Sequence, residues 1–82
     1  MDQQQAFHEV VGILTPYAKN KAALESVGPN TNILKDLQVN SARLVDIILG
    51  IEDRFEIEVA DEEADEVVTV GDAVKLILAK KH

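Results

Sequence analysis

The stretch Asn40-Ser41-Ala42-Arg43-Leu44-Val45-Asp46 joins a polar turn to an apolar segment with helical spacing and leaves a hydroxyl at the junction. The side-chain oxygen of Asn40 can accept a hydrogen bond from a free backbone N–H, which predicts a helix that begins here. Ser41 then opens the first turn, where the helix dipole and unpaired N–H groups favour a phosphate on its Oγ. The competing interpretation is an ordinary helix start, since Asn-Ser often precedes an apolar run.

Apolar spacing on both sides of this stretch predicts three longer helices and one short one. The first runs from about Gln3 to Leu14 and ends near Thr15-Pro16, because the residue before a proline avoids the helical conformation. The second runs from about Ser41 to Arg54. A short helix extends from Asp61, the expected N-cap, to about Glu66, and Thr69 caps the last helix. The expected fold is therefore an all-α four-helix bundle, with a long loop between the first and second helices.

The segments between these helices are expected to be irregular or extended. The long loop contains a short helical candidate at Lys21–Val27. Glu56–Val59 alternates like a strand, but four residues without a second candidate strand cannot form a stable sheet, so we interpret them as a connector. In the second helix the predicted core stripe is Leu44, Ile48, Ile51 and Phe55, with Ile47 beside it. Val45 is left open: it either packs inside or joins an exposed apolar patch with Ala42 and Leu49.

Length and composition limit the class of protein. The 82 residues, 46% of them hydrophobic, suffice for one small core, so residues 1–82 are expected to form a single domain and a monomer. The chain has no apolar run long enough for a membrane span and no signal-peptide pattern at its start, which predicts a cytoplasmic protein without membrane insertion. It has no cysteine, so any thiol that it uses must arrive on a cofactor.

The charge is strongly acidic and unevenly distributed. A formal net charge of −7 argues against nucleic acid as a partner and favours proteins with basic surfaces. Residues 46–66 contain ten acidic side chains and one basic one. A calcium-binding EF-hand that starts at Asp61 would need glycine at its sixth position and glutamate at its twelfth, but Glu66 and Asp72 stand there. We therefore expect no EF-hand and no other defined metal site, and only loose binding of divalent cations by the acidic turn is left open.

The chain from Ile33-Leu34-Lys35-Asp36-Leu37 almost to the C-terminus resembles an acyl carrier protein. The resemblance includes Asn40-Ser41, Phe55-Glu56-Ile57-Glu58-Val59, Asp61-Glu62-Glu63-Ala64 and Val68-Thr69-Val70-Gly71-Asp72-Ala73. It implies that Ser41 receives 4'-phosphopantetheine from coenzyme A. The motif itself is atypical, because Asn-Ser-Ala replaces the Asp-Ser-Leu of the family and Arg43 follows where an acidic residue is common. These departures bear on which transferase and which partner enzymes recognise the site.

The resemblance also implies partners and a cargo site. The partners would be a phosphopantetheinyl transferase and acyl-transferring or condensing enzymes with basic docking patches. The expected partner-binding residues are Asn40, Ala42, Arg43, Val45, Asp46, Leu49, Glu52 and Asp53. The expected acyl-chain pocket consists of Ile33, Leu34, Ile51, Val59, Ala64, Val67, Ala73 and Leu76.

The predicted function is an acyl carrier that holds acyl intermediates as thioesters, in a specialised fatty acid, lipid or polyketide pathway, and that has no catalytic activity of its own. One alternative is an unmodified acidic helical adaptor, a degenerate carrier that the transferase no longer recognises. Another is a peptidyl or aminoacyl carrier. An enzyme would require a nucleophile, a base and an orienting group close together, and nothing in the sequence brings Ser41, a histidine and an aspartate to one place.

Overall fold

The computed structural model describes residues 2–81, so Met1 and His82, the two ends of the expected domain, lie outside the described residues. Four α-helices follow one another along the chain. They are α1 (Gln3–Leu14), α2 (Leu44–Phe55), α3 (Asp61–Asp65) and α4 (Val70–Lys80). No strand occurs in this part of the chain, apart from one isolated bridge between Asn32 and Thr69. The predicted all-α bundle of three longer helices and one short helix is confirmed.

Short 3₁₀ turns replace α-helix at three places. Thr15–Tyr17 continues α1 through the proline, and Lys21–Ser26 is the short helical segment of the loop. Ser41–Arg43 precedes α2, so the α-helix begins three residues later than the sequence predicts. The Asn40 cap accounts for this shift, because its side chain satisfies the N–H of Ala42 while its carbonyl accepts from Arg43.

The core lies where the three longer helices and the loop meet. Each of these helices contributes one buried stripe, and α1 packs chiefly against α4. In α2 the buried residues are Ile47, Ile51 and Phe55, whereas Leu44 and Ile48 are only half-buried. The prediction was therefore right for Ile51 and Phe55 and wrong for Leu44 and Ile48, which pack only partly against the core because a small rotation of the helix buries Ile47 instead. The remaining core residues are Ala6, Val10, Leu14, Ala18, Ile33, Leu37, Val39, Val70, Ala73, Val74 and Ile77.

The long loop is tied to the start of α4 by backbone hydrogen bonds. Ile33 N donates to Val68 O at 3.1 Å, Val70 N donates to Thr31 O at 3.0 Å, and Gly71 N donates to Pro29 O at 2.8 Å. A Cβ at Gly71 would lie 2.7 Å from the same Pro29 oxygen, which is too close for any other residue without a backbone shift. These bonds make the loop one wall of the bundle.

The N-termini of α3 and α4 are capped in different ways. Thr69 Oγ1 accepts from Asp72 N at 3.1 Å, and Asp72 Oδ2 accepts from Thr69 N at 3.0 Å, so the predicted cap of α4 is present and reciprocal. At α3 the predicted N-cap, Asp61, was wrong. Ala60 occupies that position, and its N–H donates to Glu63 Oε1 at 2.9 Å, so Glu63 satisfies the backbone donor of the cap residue while no side chain caps the first turn.

Candidate functional site

The turn that carries Ser41 is anchored from both sides. Before it, Leu37 and Val39 are buried on either side of Gln38, whose positive φ of 55° reverses the chain. Asn40 Oδ1 accepts from Ala42 N at 2.9 Å, and Leu44 N donates to Ser41 O. Ser41 itself is exposed, and its Oγ makes no hydrogen bond to any of residues 2–81. The fold therefore holds the backbone of Ser41 and leaves its hydroxyl free to react.

An apolar strip flanked by charges follows Ser41 along α2. The side chains of Val45 and Leu49, one helical turn apart, are 67% and 56% exposed. This exposure answers the question that the sequence left open for Val45, which does not pack inside. Asn40, Ala42, Arg43 and Asp53 are also exposed, and Asp46 is half-buried.

Two acidic residues on α2 already have partners within the chain. Arg43 Nη1 lies 3.2 Å from Asp46 Oδ2, so the last residue of the 3₁₀ turn and the first acidic residue of α2 form an exposed ion pair. Glu52 Oε2 accepts from Val59 N at 2.9 Å. Glu52 therefore ties the connector after α2 back onto the helix, a structural role that the sequence did not reveal.

An open apolar cleft of about 740 Å³ lies between α2, α3, α4 and the loop. The structure brings together at its walls seven of the eight residues expected in the acyl-chain pocket, from Ile33 to Ala73 in sequence. Leu76 is the exception, because it borders a separate depression with Glu63, Val67 and Lys75. Ser41 does not line the cleft, but Leu44 and Val45 do, and residues three and four positions apart share a helix face. The cleft thus opens close to the turn of Ser41.

Several residues of the cleft were not predicted from the sequence. The base includes the buried side chains Val10, Leu14 and Ile47, which the helical spacing assigns only to a core. The four exposed large apolar side chains of residues 2–81, which are Leu34, Val45, Leu49 and Val68, all lie on its walls. Such grouping of exposed apolar residues is typical of a binding surface, whereas single exposed residues are ordinary.

Polar contacts hold α3 against the rest of the bundle. None of the α3 residues is fully buried. Lys80 Nζ at the end of α4 lies 2.9 Å from Glu63 Oε1. The backbone hydrogen bond from Ala60, followed by the bond from Lys80, lowers the pKa of Glu63 below its ordinary value. The helix α3 therefore buries no residue fully and is tied to α4 by one partly exposed ion pair, so this wall of the cleft can move at small cost.

Two classes of site are not found in the described part of the chain. In residues 2–81 no group of three or more histidine, aspartate or glutamate side chains is arranged to hold a metal ion. In the same residues no helix is long and apolar enough to cross a membrane.

Comparison with known proteins identifies the family. Residues 18–77 match the family described as the phosphopantetheine attachment site. The acyl carrier protein of Lactobacillus acidophilus is 37% identical over 83 residues, which cover 100% of this chain and 98% of that protein. That of Prochlorococcus marinus is 36% identical, with 99% of both chains covered.

A solved structure agrees with these relatives. The acyl carrier protein from Enterococcus faecalis superimposes with a TM-score of 0.81 and 28% identity, covering 99% of this chain and all of that one. The chain therefore belongs to the acyl carrier protein family: it is a carrier rather than an enzyme, and its prosthetic group is 4'-phosphopantetheine.

Proposed function

We propose that Ser41 is the residue to which 4'-phosphopantetheine is attached. The observation that carries this proposal is the exposed Ser41 Oγ, which has no hydrogen-bond partner in residues 2–81 and stands in a turn that Asn40 caps. Ser41 also lies within the matched residues 18–77. The sequence contains one other serine, Ser26, in the 3₁₀ turn of the loop.

The surroundings of Ser41 fit a covalently bound phosphate. The hydroxyl is open to solvent, so a separate transferase can reach it, and the adjoining turn is rigidly capped. In the transferase, Ser41 Oγ forms a bond to the phosphorus of coenzyme A that carries the pantetheine group. The bond from this phosphorus to the adenosine bisphosphate leaving group breaks, and a base of the transferase takes the hydroxyl proton. The attached group supplies a terminal thiol that holds an acyl chain as a thioester, which this cysteine-free chain cannot supply itself.

The exposed strip on α2 is the proposed docking surface for partner enzymes. Val45 and Leu49 give it an apolar centre, and Asp46 and Asp53 give it an acidic border. Basic patches on the transferase and on acyl-transferring or condensing enzymes complement this arrangement. Charges of this kind raise association rates more than final affinity, which suits a carrier that must bind and release successive enzymes.

The cleft is the proposed shelter for the acyl chain. Its walls are largely apolar, and its volume falls within the roughly 300–1,000 Å³ that ligand pockets usually have. Apolar walls favour an alkyl chain over an aminoacyl or peptidyl cargo. We therefore propose an acyl chain of a fatty acid, lipid or polyketide pathway as the cargo. The unusual Asn40 and Arg43 favour a specialised pathway, and we propose in addition that the protein is a monomeric, cytoplasmic carrier of one domain.

Intact mass spectrometry tests the attachment. The parent chain, Ser41→Ala and Ser26→Ala are each incubated with coenzyme A and a phosphopantetheinyl transferase. We expect the mass of one phosphopantetheine to be added to the parent and to Ser26→Ala, and none to Ser41→Ala. A mass gain in Ser41→Ala would refute the assignment, and no gain in the parent with any transferase would favour the unmodified adaptor.

A further inference from the structure

The two arginines of the chain differ in how fully their guanidinium groups are used. Arg54 donates from Nε to Glu9 Oε1 at 2.9 Å, and its Nη2 lies 2.9 Å from the same oxygen in an ion pair. Arg43 makes one contact, from Nη1 to Asp46 Oδ2 at 3.2 Å, and its other nitrogens have no hydrogen-bond partner in residues 2–81. The side chains are equally exposed, at 62% for Arg43 and 60% for Arg54. Arg43 therefore retains free donors that Arg54 has already engaged.

Arg43 also lies next to the attachment position. It shares the 3₁₀ turn Ser41–Arg43, in which a rise of roughly 2 Å per residue separates the two residues by only about 4 Å along the axis. The long side chain of Arg43 spans such a distance readily. The next basic residues along the chain on either side are Lys35 and Arg54. Arg43 is thus the basic residue nearest to Ser41 along the chain, and its long side chain can bend back toward an anion on Ser41 Oγ.

We propose that Arg43 binds the phosphodiester on Ser41 and releases Asp46 when the chain is loaded. This inference rests on the proposed attachment at Ser41. A phosphodiester presents two anionic oxygens that match the planar guanidinium fork and accept two hydrogen bonds at once. The contact with Asp46 is single and exposed, and such pairs contribute little stability. Ser41 precedes Arg43 in the chain and Asp46 follows it by one helical turn, so an Arg43 side chain that turns back to the phosphodiester gives up its contact with Asp46.

The exchange makes the charge at the start of α2 depend on loading. In the unmodified chain, Arg43 neutralises Asp46 beside the exposed Val45. In the loaded chain, Arg43 neutralises the phosphate, and the Asp46 carboxylate becomes free to meet a basic partner. Partner enzymes that act after loading therefore encounter an additional acidic group, and a charge at the border of a docking surface changes the association rate.

Nuclear magnetic resonance of the arginine side chains tests the exchange. The ¹⁵Nε–¹Hε signals of Arg43 and Arg54 are compared in unmodified and loaded protein. Intact mass confirms that one phosphopantetheine is attached, and the absence of a mass gain in Ser41→Ala locates it on Ser41. We expect the Arg43 signal to shift on loading and the Arg54 signal to stay in place, so that Arg54 serves as the internal control. The ³¹P signal of the phosphodiester should differ between the parent and Arg43→Gln, and should be the same in Arg54→Gln as in the parent.

Each outcome decides between the two proposals. Protein that is loaded on Ser41 but shows no shift of the Arg43 signal, or the same ³¹P signal in Arg43→Gln as in the parent, overturns the role of Arg43 alone. A parent chain that gains no mass, or that is loaded elsewhere, overturns both the attachment at Ser41 and the role of Arg43. Arg43→Gln replaces an exposed side chain, so a folded variant is expected.

Discussion

Filling the apolar cleft at Ala64 should remove the stabilisation that an acyl chain brings to the loaded protein. Ala64 lies on α3, is half-buried, and lines the cleft with Val59 and Val67. The variant Ala64→Phe places an aromatic ring in the space that the acyl chain would occupy. Ala73 lines the same cleft but is only 1% exposed, so a phenylalanine there would overpack the core and cost about 1–3 kcal/mol by itself. Ala64→Phe is therefore the cleaner perturbation.

The expected stabilisation of the protein follows from the apolar surface that the acyl chain buries. Six methylenes of an octanoyl chain correspond to about 5 kcal/mol when fully buried, at about 0.8 kcal/mol each. Part of this stabilisation is offset by the entropy lost when the acyl chain is ordered and by the displacement of α3. If about 2 kcal/mol remains, the melting temperature should rise by about 10 °C, since 1 kcal/mol corresponds to about 4–8 °C in a domain of this size.

The assay is the melting temperature of octanoylated protein minus that of the protein with a free thiol, measured for the parent and each variant. The parent should show the full rise, and Ala64→Phe should show little or none while still accepting phosphopantetheine on Ser41. Ala79→Phe is the matched control, because it makes the same substitution at an exposed position of α4 outside the cleft. An equal rise in all three proteins would mean that the acyl chain lies outside the bundle, and the proposed shelter would be refuted.

The remaining predictions concern modification, packing and pH. Arg43→Asp should speed modification by a generic carrier transferase, because it removes the cation that pairs with Asp46. Asn40→Asp should act in the same direction. Modification rates that stay unchanged across ionic strengths would contradict both expectations. Gly71→Ala should destabilise the fold by about 1–3 kcal/mol through the contact with Pro29 O. Gly12→Ala, whose new Cβ would meet nothing within 4 Å, should instead stabilise α1 by about 0.5–1 kcal/mol, and urea unfolding of both variants measures the contrast. Backbone hydrogen bonds from Thr69 and Val68 lower the pKa of Asp72 in the folded protein. The Asp72 carboxylate should therefore contribute its full stabilisation above the ordinary aspartate pKa of about 3.9. This stabilisation should be lost as the pH falls through the lowered pKa of the folded state. The stability difference between the parent and Asp72→Asn should therefore shrink in acid, and a difference that is constant with pH would exclude this role of the carboxylate.

The sequence alone determined the helices and their caps, because these features depend on residues that are close together along the chain. The caps at Asn40 and Thr69 depend on side-chain oxygens that reach N–H groups two or three residues away, and both are present. The helices themselves follow from apolar spacing. The short helix after Ala60 was predicted for the right acidic segment, but its cap was assigned to Asp61 because the sequence does not show that Glu63 would bind the Ala60 N–H.

Only the tertiary structure decided which face of α2 turns inward. Apolar residues occupy so much of this helix that both the stripe through Leu44 and Ile48 and the stripe through Ile47 and Ile51 satisfy helical spacing. Packing within the bundle buries Ile47, leaves Leu44 and Ile48 half-buried, and leaves Val45 exposed on the wall of the cleft. The absence of Leu76 from the cleft has the same cause, because the rotation of a helix about its own axis is set by the surfaces on which it packs and not by its own residues.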